Sequence, residues 1–209
     1  MFFRLFSVFA VILLLSPDCL AQFYGPYDYT NPVDFREKLP IVEQYHFNSD
    51  VESLRGTMPG GSMGDHIWYV IRSFPNHHRA LVSMEKLWAQ YERKGMTPPG
   101  MGSDKAPDAL YKRAIDFAPQ DGVVQLLYGI YLVRKNQKDA AREYFVSADK
   151  LEPDNSELQY NLGLMYIKLG DPDQAVIHAR RAYAMNYPLD GLRNKLRDLG
   201  KWQDNVNEG

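Results

Sequence analysis

The chain has almost no cysteine: Cys19 is the only one in 209 residues. No intramolecular disulfide can staple the fold, and no set of thiolates can build a Cys-rich zinc site. Charge of one sign is also missing. The 24 Lys and Arg against 26 Asp and Glu leave a formal net charge of −2, which provides no basic footprint for nucleic acid. The apolar stretch Leu5 to Leu15 spans 11 residues, well short of the roughly 20 that a helix needs to cross a bilayer. Stable membrane insertion is therefore not expected. The motifs of chemistry are absent too. There is no phosphate loop, no His-Glu-x-x-His zinc pattern and no Ser, His and Asp set with a recognised local signature. The expectation is a protein that is not an enzyme and carries no cofactor.

What is present begins with an address. Arg4 gives a positive start, the apolar stretch follows, and Ser16-Pro17 breaks it. Cys19-Leu20-Ala21 then places small residues at −3 and −1 of a cut before Gln22. This is the layout of a secretory signal peptide over residues 1–21, and it implies a periplasmic or secreted protein cleaved near Ala21. Cys19 as a lipid-attachment site is the minor alternative, because Pro17 and Asp18 fit such a signal poorly.

Residues 22–64 differ from the rest. Phe23, Tyr24, Tyr27, Tyr29, Phe35, Tyr45 and Phe47 crowd a segment punctuated by Gly25-Pro26 and Asn31-Pro32. Residues before proline avoid the helical region. The reading is an irregular aromatic arm with one short helix over about residues 32–45, then a Gly/Pro/Ser/Met linker over 55–64. Asp65 has the chemistry of an N-cap for a helix whose Ile67, Val70 and Ile71 share one face. Residues 77–93 form a second helix with Leu81, Met84, Leu87, Trp88 and Tyr91 spaced at three and four. A loop over 94–106 follows, then a helix over 108–118 with Ala109, Ala114 and Ile115 as packing candidates.

The C-terminal half carries a 34-residue echo. Gly129 recurs as Gly163, Ala141 as Ala175 and Ala148 as Ala182. Small residues at a fixed period of this length mark stacked helix–turn–helix units. In residues 156–189 the phases are Leu162-Gly163, Tyr166, Ala175, Ala179 and Ala182, with Pro188 closing. In residues 122–155 they are Gly129, Ala141, Phe145, Ala148 and Pro153, with Tyr111, Ala114 and Pro119 one period earlier.

On these residues the chain resembles the tetratricopeptide repeat family. The resemblance implies an all-α helical-hairpin solenoid of about three repeats. Residues 65–77 make a half-repeat helix, and 78–121 a first repeat enlarged by a loop. Residues 122–155 and 156–189 are the second and third repeats, and 190–209 are a capping helix and tail, with Gly200 as helix stop. The Tyr-Asp-Tyr and Phe-Pro-Asn-His-His segments look like those of small exported repeat proteins of Gram-negative bacteria.

The resemblance also implies a job, protein–protein binding in a concave groove lined by the first helix of each repeat. The groove-facing phases are Leu126, Leu127, Ile130 and Val133 in the second repeat. In the third they are Glu157, Tyr160, Asn161, Leu164 and Ile167, with Arg134 and Lys168 on the rim. Family members that clamp a carboxylate use Lys, Arg and Asn here. This chain has Asn161 but apolar residues at most of the others. An apolar groove suits an amphipathic helix or an aromatic-rich strand. The aromatic arm either packs on the protein itself or docks a partner. A periplasmic adaptor in envelope assembly or transport is the leading expectation. The alternative is a metal- or stress-linked envelope protein that binds Cu(I) through His46, His66, His77, His78 and the loop residues Met58, Met63, Met96 and Met101.

Mass spectrometry of the mature protein should show a chain beginning at Gln22; a lipid-modified start at Cys19 would overturn the signal-peptide reading.

Overall fold

A computed structural model of the chain describes residues 25–56 and 59–203. The expected signal peptide with Cys19, the aromatics Phe23 and Tyr24, and Met58 lie outside the described residues. Among the described residues there are eleven α-helices, a 3-10 turn and no strand. The order is α1 Pro32–Glu37, α2 Leu39–His46, α3 Ser49–Glu52, α4 Met63–Ser73 and α5 His78–Glu92. After the 3-10 turn Ser103–Lys105 come α6 Pro107–Phe117, α7 Gly122–Arg134, α8 Lys138–Leu151, α9 Ser156–Leu169, α10 Pro172–Ala184 and α11 Gly191–Asp198.

Capping side chains mark where several of the helices begin. Asp121 caps α7 by accepting from the Val124 amide at 3.1 Å, and Asn155 caps α9 through the Leu158 amide at 3.0 Å. Asp171 caps α10 and is followed by Pro172, whose missing N–H is one the first turn does not use. Gly170 ends α9 at φ +81°, a left-handed conformation that a Cβ would strain. The start of α4 corrects the sequence reading. Ser62, not Asp65, is the N-cap; Asp65 sits at the third helical position and accepts from the Ser62 amide at 2.9 Å. The two close a reciprocal capping box, and the N-cap lies three residues earlier than expected.

α7 with α8, and α9 with α10, pack as paired helical hairpins, consistent with a tetratricopeptide-repeat solenoid. The glycines of the echo sit where helices come closest. A Cβ on Gly129 would collide with the ring of Phe145, which is fully buried in α8. A Cβ on Gly163 would lie within 2.5 Å of Leu192 in α11 and 3.3 Å from the Ala175 carbonyl oxygen in α10. The second glycine therefore admits the terminal helix as well as its own partner. Leu192 and Leu196 are the residues that α11 buries, which closes the apolar end of the stack. Arg193 covers that end, its guanidinium 4.2 Å from the Tyr183 ring.

The arm is more helical than its sequence suggests. Three short helices replace the expected irregular stretch, and the single helix expected over 32–45 is two. Pro40 has no N–H to continue α1, so the chain turns at Lys38 and restarts. Asn31 and Asn48 cap α1 and α3. Leu39, Val42, Phe47 and Val51 are buried against α4 and α5. The arm is thus part of the core, while Phe35, Ile41 and Tyr45 on its outer side stay exposed.

Gly129→Ala should cost about 1–3 kcal/mol through overpacking against Phe145, lowering the melting temperature by about 3–10 °C. A thermal melt matching the unsubstituted protein would contradict the close approach.

Candidate partner-binding groove

The first helices of successive hairpins, α5, α7 and α9, stand side by side and enclose an open cavity of about 510 Å³. The middle helix supplies an apolar floor, Val123, Leu126, Leu127 and Ile130, at the i, i+3, i+4, i+7 spacing of a single helical face. One wall is α5, with Arg79, Val82, Ser83 and Lys86 on one stripe. The opposite wall is α9 with Glu157, Leu158 and Asn161, preceded by its cap Asn155. The arm supplies Tyr29 and Glu52.

A buried hydrogen-bond junction anchors the arm beside this groove. Asn76 is fully buried in the turn between α4 and α5. Its amide donates to Asp28 at 2.8 Å and to Asp121 at 3.0 Å, and its carbonyl accepts from the Tyr29 backbone at 2.9 Å. Asp121, the cap of α7, also pairs with His78 Nε2 at 2.8 Å. The Tyr29 ring lies 4.5 Å from that of His77 and 4.8 Å from that of His78. One asparagine thus ties the arm, the α4–α5 corner and the start of α7 together, and holds Tyr29 at the groove.

His77 is the other hinge of the arm. It has no exposed surface, and its Nδ1 accepts the Ala80 amide at 3.1 Å as the N-cap of α5. Nε2 therefore carries the proton and donates to Glu43 of α2 at 2.9 Å. Burial pushes the His77 pKa below its ordinary value, against the opposing pull of Glu43. The hydrogen bond from His77 holds the Glu43 carboxyl below its own ordinary range. Arg79 bridges Glu43 at 3.1 Å and Glu52 at 2.7 Å, so this cation is already paired.

The groove residues expected from the repeat phases divide. Leu126, Leu127, Ile130, Glu157 and Asn161 line the cavity. Val133 and Tyr160 are buried instead, Tyr160 with its ring 4.5 Å from Tyr187 near α11. Leu164 and Ile167 are half-buried and Lys168 is exposed, all on the later turns of α9 away from the cavity lining. Arg134 is not a free rim cation. Its Nε lies 2.6 Å and its Nη2 2.7 Å from the buried Glu85 of α5, which also accepts from the Tyr111 hydroxyl at 3.0 Å. A buried carboxylate needs that pairing. The α5 wall and the arm residues Tyr29 and Glu52 were missed. Their signal was weak: Val82 and Lys86 lie one helical turn apart, but the loop that enlarges the first repeat hid their phase.

The four histidines of the copper alternative already have protein partners. His46 Nδ1 and His66 Nδ1 lie 3.2 Å apart, and His77 and His78 are engaged by carboxylates. Met101 is buried and Met96 exposed. Among the described residues, no group of three or more His, Cys, Asp or Glu side chains is arranged to hold a metal.

Comparison with known proteins agrees with the repeat geometry. Residues 156–187, which are α9, α10 and their turn, match the tetratricopeptide repeat family. The chain is 27% identical over 108 residues to the human protein O-mannosyl-transferase TMTC3, covering 52% of this chain and 11% of that protein. The mouse protein of the same name is 28% identical over 101 residues, covering 48% of this chain and 10% of that protein. The chain thus spans about a tenth of the length of the curated relatives it matches. These matches support the tetratricopeptide repeat family, whose repeats act as protein–protein interaction modules.

Stability should fall as pH drops from 7.5 to 5.5. Burial lowers the pKa of His46, His77 and His178 in the folded chain. The unfolded chain takes up protons near the ordinary histidine value of about 6.5. It therefore binds more protons in this window, and acid favours unfolding. The depressed carboxylates Glu43 and Asp149 add a further loss only as pH falls below about 4.5. His77→Asn keeps a capping side chain but cannot titrate, so its melting temperature should decline less between pH 7.5 and 5.5; an unaltered slope would show that His77 is not a source of the acid sensitivity.

Proposed function

We propose that this chain is a periplasmic protein–protein interaction module whose concave groove holds a protein or peptide partner, with a role in envelope assembly or transport. The single observation that carries the binding face is the open cavity across α5, α7 and α9, floored by Val123, Leu126, Leu127 and Ile130. A contiguous apolar surface in a concave site is the feature that a partner covers. The placement outside the cytoplasm rests on the signal-peptide layout of residues 1–21, and the Gram-negative origin on the resemblance of the aromatic and histidine segments.

The relatives are named as transferases. The shared segment is about a tenth of their length, and repeat scaffolds of this family are generally without chemistry of their own. The reading for this chain is therefore an adaptor that is not an enzyme.

Crosslinking of the full chain in periplasmic extract, followed by affinity capture, should recover one stoichiometric partner. Ile130→Asp places a charge on the groove floor and should abolish that capture while the circular dichroism spectrum stays helical. Undiminished capture by the folded variant would place the binding face elsewhere.

A further inference from the structure

A second cleft lies where the arm meets α4, and it shares no lining residue with the groove. It encloses about 320 Å³. Tyr27 of the arm and Tyr69 of α4 line it together with one face of α2. That face runs from the cap residue Lys38 through Ile41, Val42 and Tyr45 to His46, the i, i+3, i+4, i+7, i+8 spacing of a single helical stripe. Ile41 is 59% exposed and Tyr45 62%, so the fold leaves two large apolar side chains uncovered here.

The stripe changes chemistry along its length. Lys38 puts an ammonium at one end, Ile41 and Val42 are aliphatic, and Tyr45 and His46 make the far end aromatic. The aromatic end is preformed. The His46 ring stacks on Tyr69 with centroids 3.8 Å apart, and its Nδ1 lies 3.2 Å from Nδ1 of the buried His66. The cationic end is not cancelled within the cleft. No carboxylate lines it, and the ion pair of Lys38 is a 4.0 Å contact with the exposed Glu37 outside it. At a rise of about 1.5 Å per residue, Lys38 and Tyr45 lie about 10 Å apart along the helix.

The size of the cleft argues for a small molecule. Ligand pockets begin at about 300 Å³. A stable protein interface takes about 20–30 residues from each partner, and seven line this cleft.

We propose that this cleft binds a small arylalkanoate, a molecule with an aromatic ring, a short alkyl stem and a terminal carboxylate. The ring packs against Tyr45, His46 and Tyr69, where offset or edge-on contact is favoured. The stem covers Ile41 and Val42, and the carboxylate faces Lys38. The order cation, aliphatic, aromatic along α2 is matched by the order carboxylate, alkyl, aryl in the ligand. The site is independent of the partner-binding groove and stands or falls without it.

The test titrates the full chain by calorimetry with 4-phenylbutyrate, 4-phenylbutanol and 4-phenylbutylammonium, which differ only at the end that faces Lys38, and with octanoate, which lacks the ring. Phenylbutyrate should bind about fivefold tighter than the alcohol, the scale of one exposed ion pair, and the ammonium should bind weakest. Lys38→Glu should reverse that order, and Tyr45→Ala should weaken phenylbutyrate about fivefold, the scale of one aromatic contact. Both side chains are on the surface, and thermal melts check that the variants remain folded. Amide chemical shifts should move at Ile41, Tyr45 and Tyr69; shifts at Leu127 and Ile130 instead would put the ligand in the groove and overturn this site. Equal binding of the three phenyl compounds would overturn the carboxylate, and tighter binding of octanoate would overturn the aromatic body. No binding of any compound at millimolar concentration would overturn the small-molecule occupant. So would sedimentation of the chain as a dimer that Ile41→Glu disperses, which would assign the cleft to a second copy.

Discussion

The buried Asn76 is the point on which the shape of the N-terminal half turns. A fully buried amide must find partners for its donors and its acceptor. Here they come from two segments far from it in sequence: Asp28 and the Tyr29 backbone in the arm, and Asp121 at the start of α7. Satisfying one side chain therefore sets the arm against the α4–α5 corner and the corner against the first full hairpin. The groove inherits its geometry from this junction, because Tyr29 and His78 reach the cavity wall through the same partners.

The two ends of the stack solve one problem in different ways. A helical hairpin cannot bury its apolar face alone, so the first and last units each need a cover. At the C-terminal end the cover is a single amphipathic helix, α11, which inserts Leu192 over Gly163. At the N-terminal end it is the arm, three short helices that bury Leu39, Val42, Phe47 and Val51. The arm is held by polar contacts too, with Glu43 and Glu52 reaching Arg79 and Glu43 reaching His77. Its helices are too short to be stable by themselves, and the tertiary contacts supply what local propensity does not.

The legibility of the sequence followed the source of each element's stability. Helices α7 to α10 carry small residues at a fixed period, and α7, α9 and α10 carry side-chain caps, so their register could be read locally. The arm could not be read that way. Its Pro, Gly and Asn residues look like breakers in sequence, yet Asn31 and Asn48 are helix caps and Pro32 is a first-turn residue. The start of α4 misled for a similar reason: Asp65 is a good capping residue by type, but its carboxylate points back to the Ser62 amide. In the groove, phase alone put Leu126, Leu127 and Ile130 on one face of α7, the face that lines the cavity. It could not show that Arg134 would turn to Glu85, or that Tyr160 would pack near α11, because both depend on residues of other helices.

By itself the sequence determined the helical class, the 34-residue period, the places where small residues let helices meet, and the apolar character of the middle helix. These are local properties, written in the spacing of side chains along single helices. Only the tertiary structure decided that the arm is a folded cover, that Arg79 and Arg134 are paired, and that the groove has an α5 wall and an α9 wall. Those outcomes depend on which buried polar groups find partners across the chain. That is a long-range matching problem, with no signature in the pattern of any one segment.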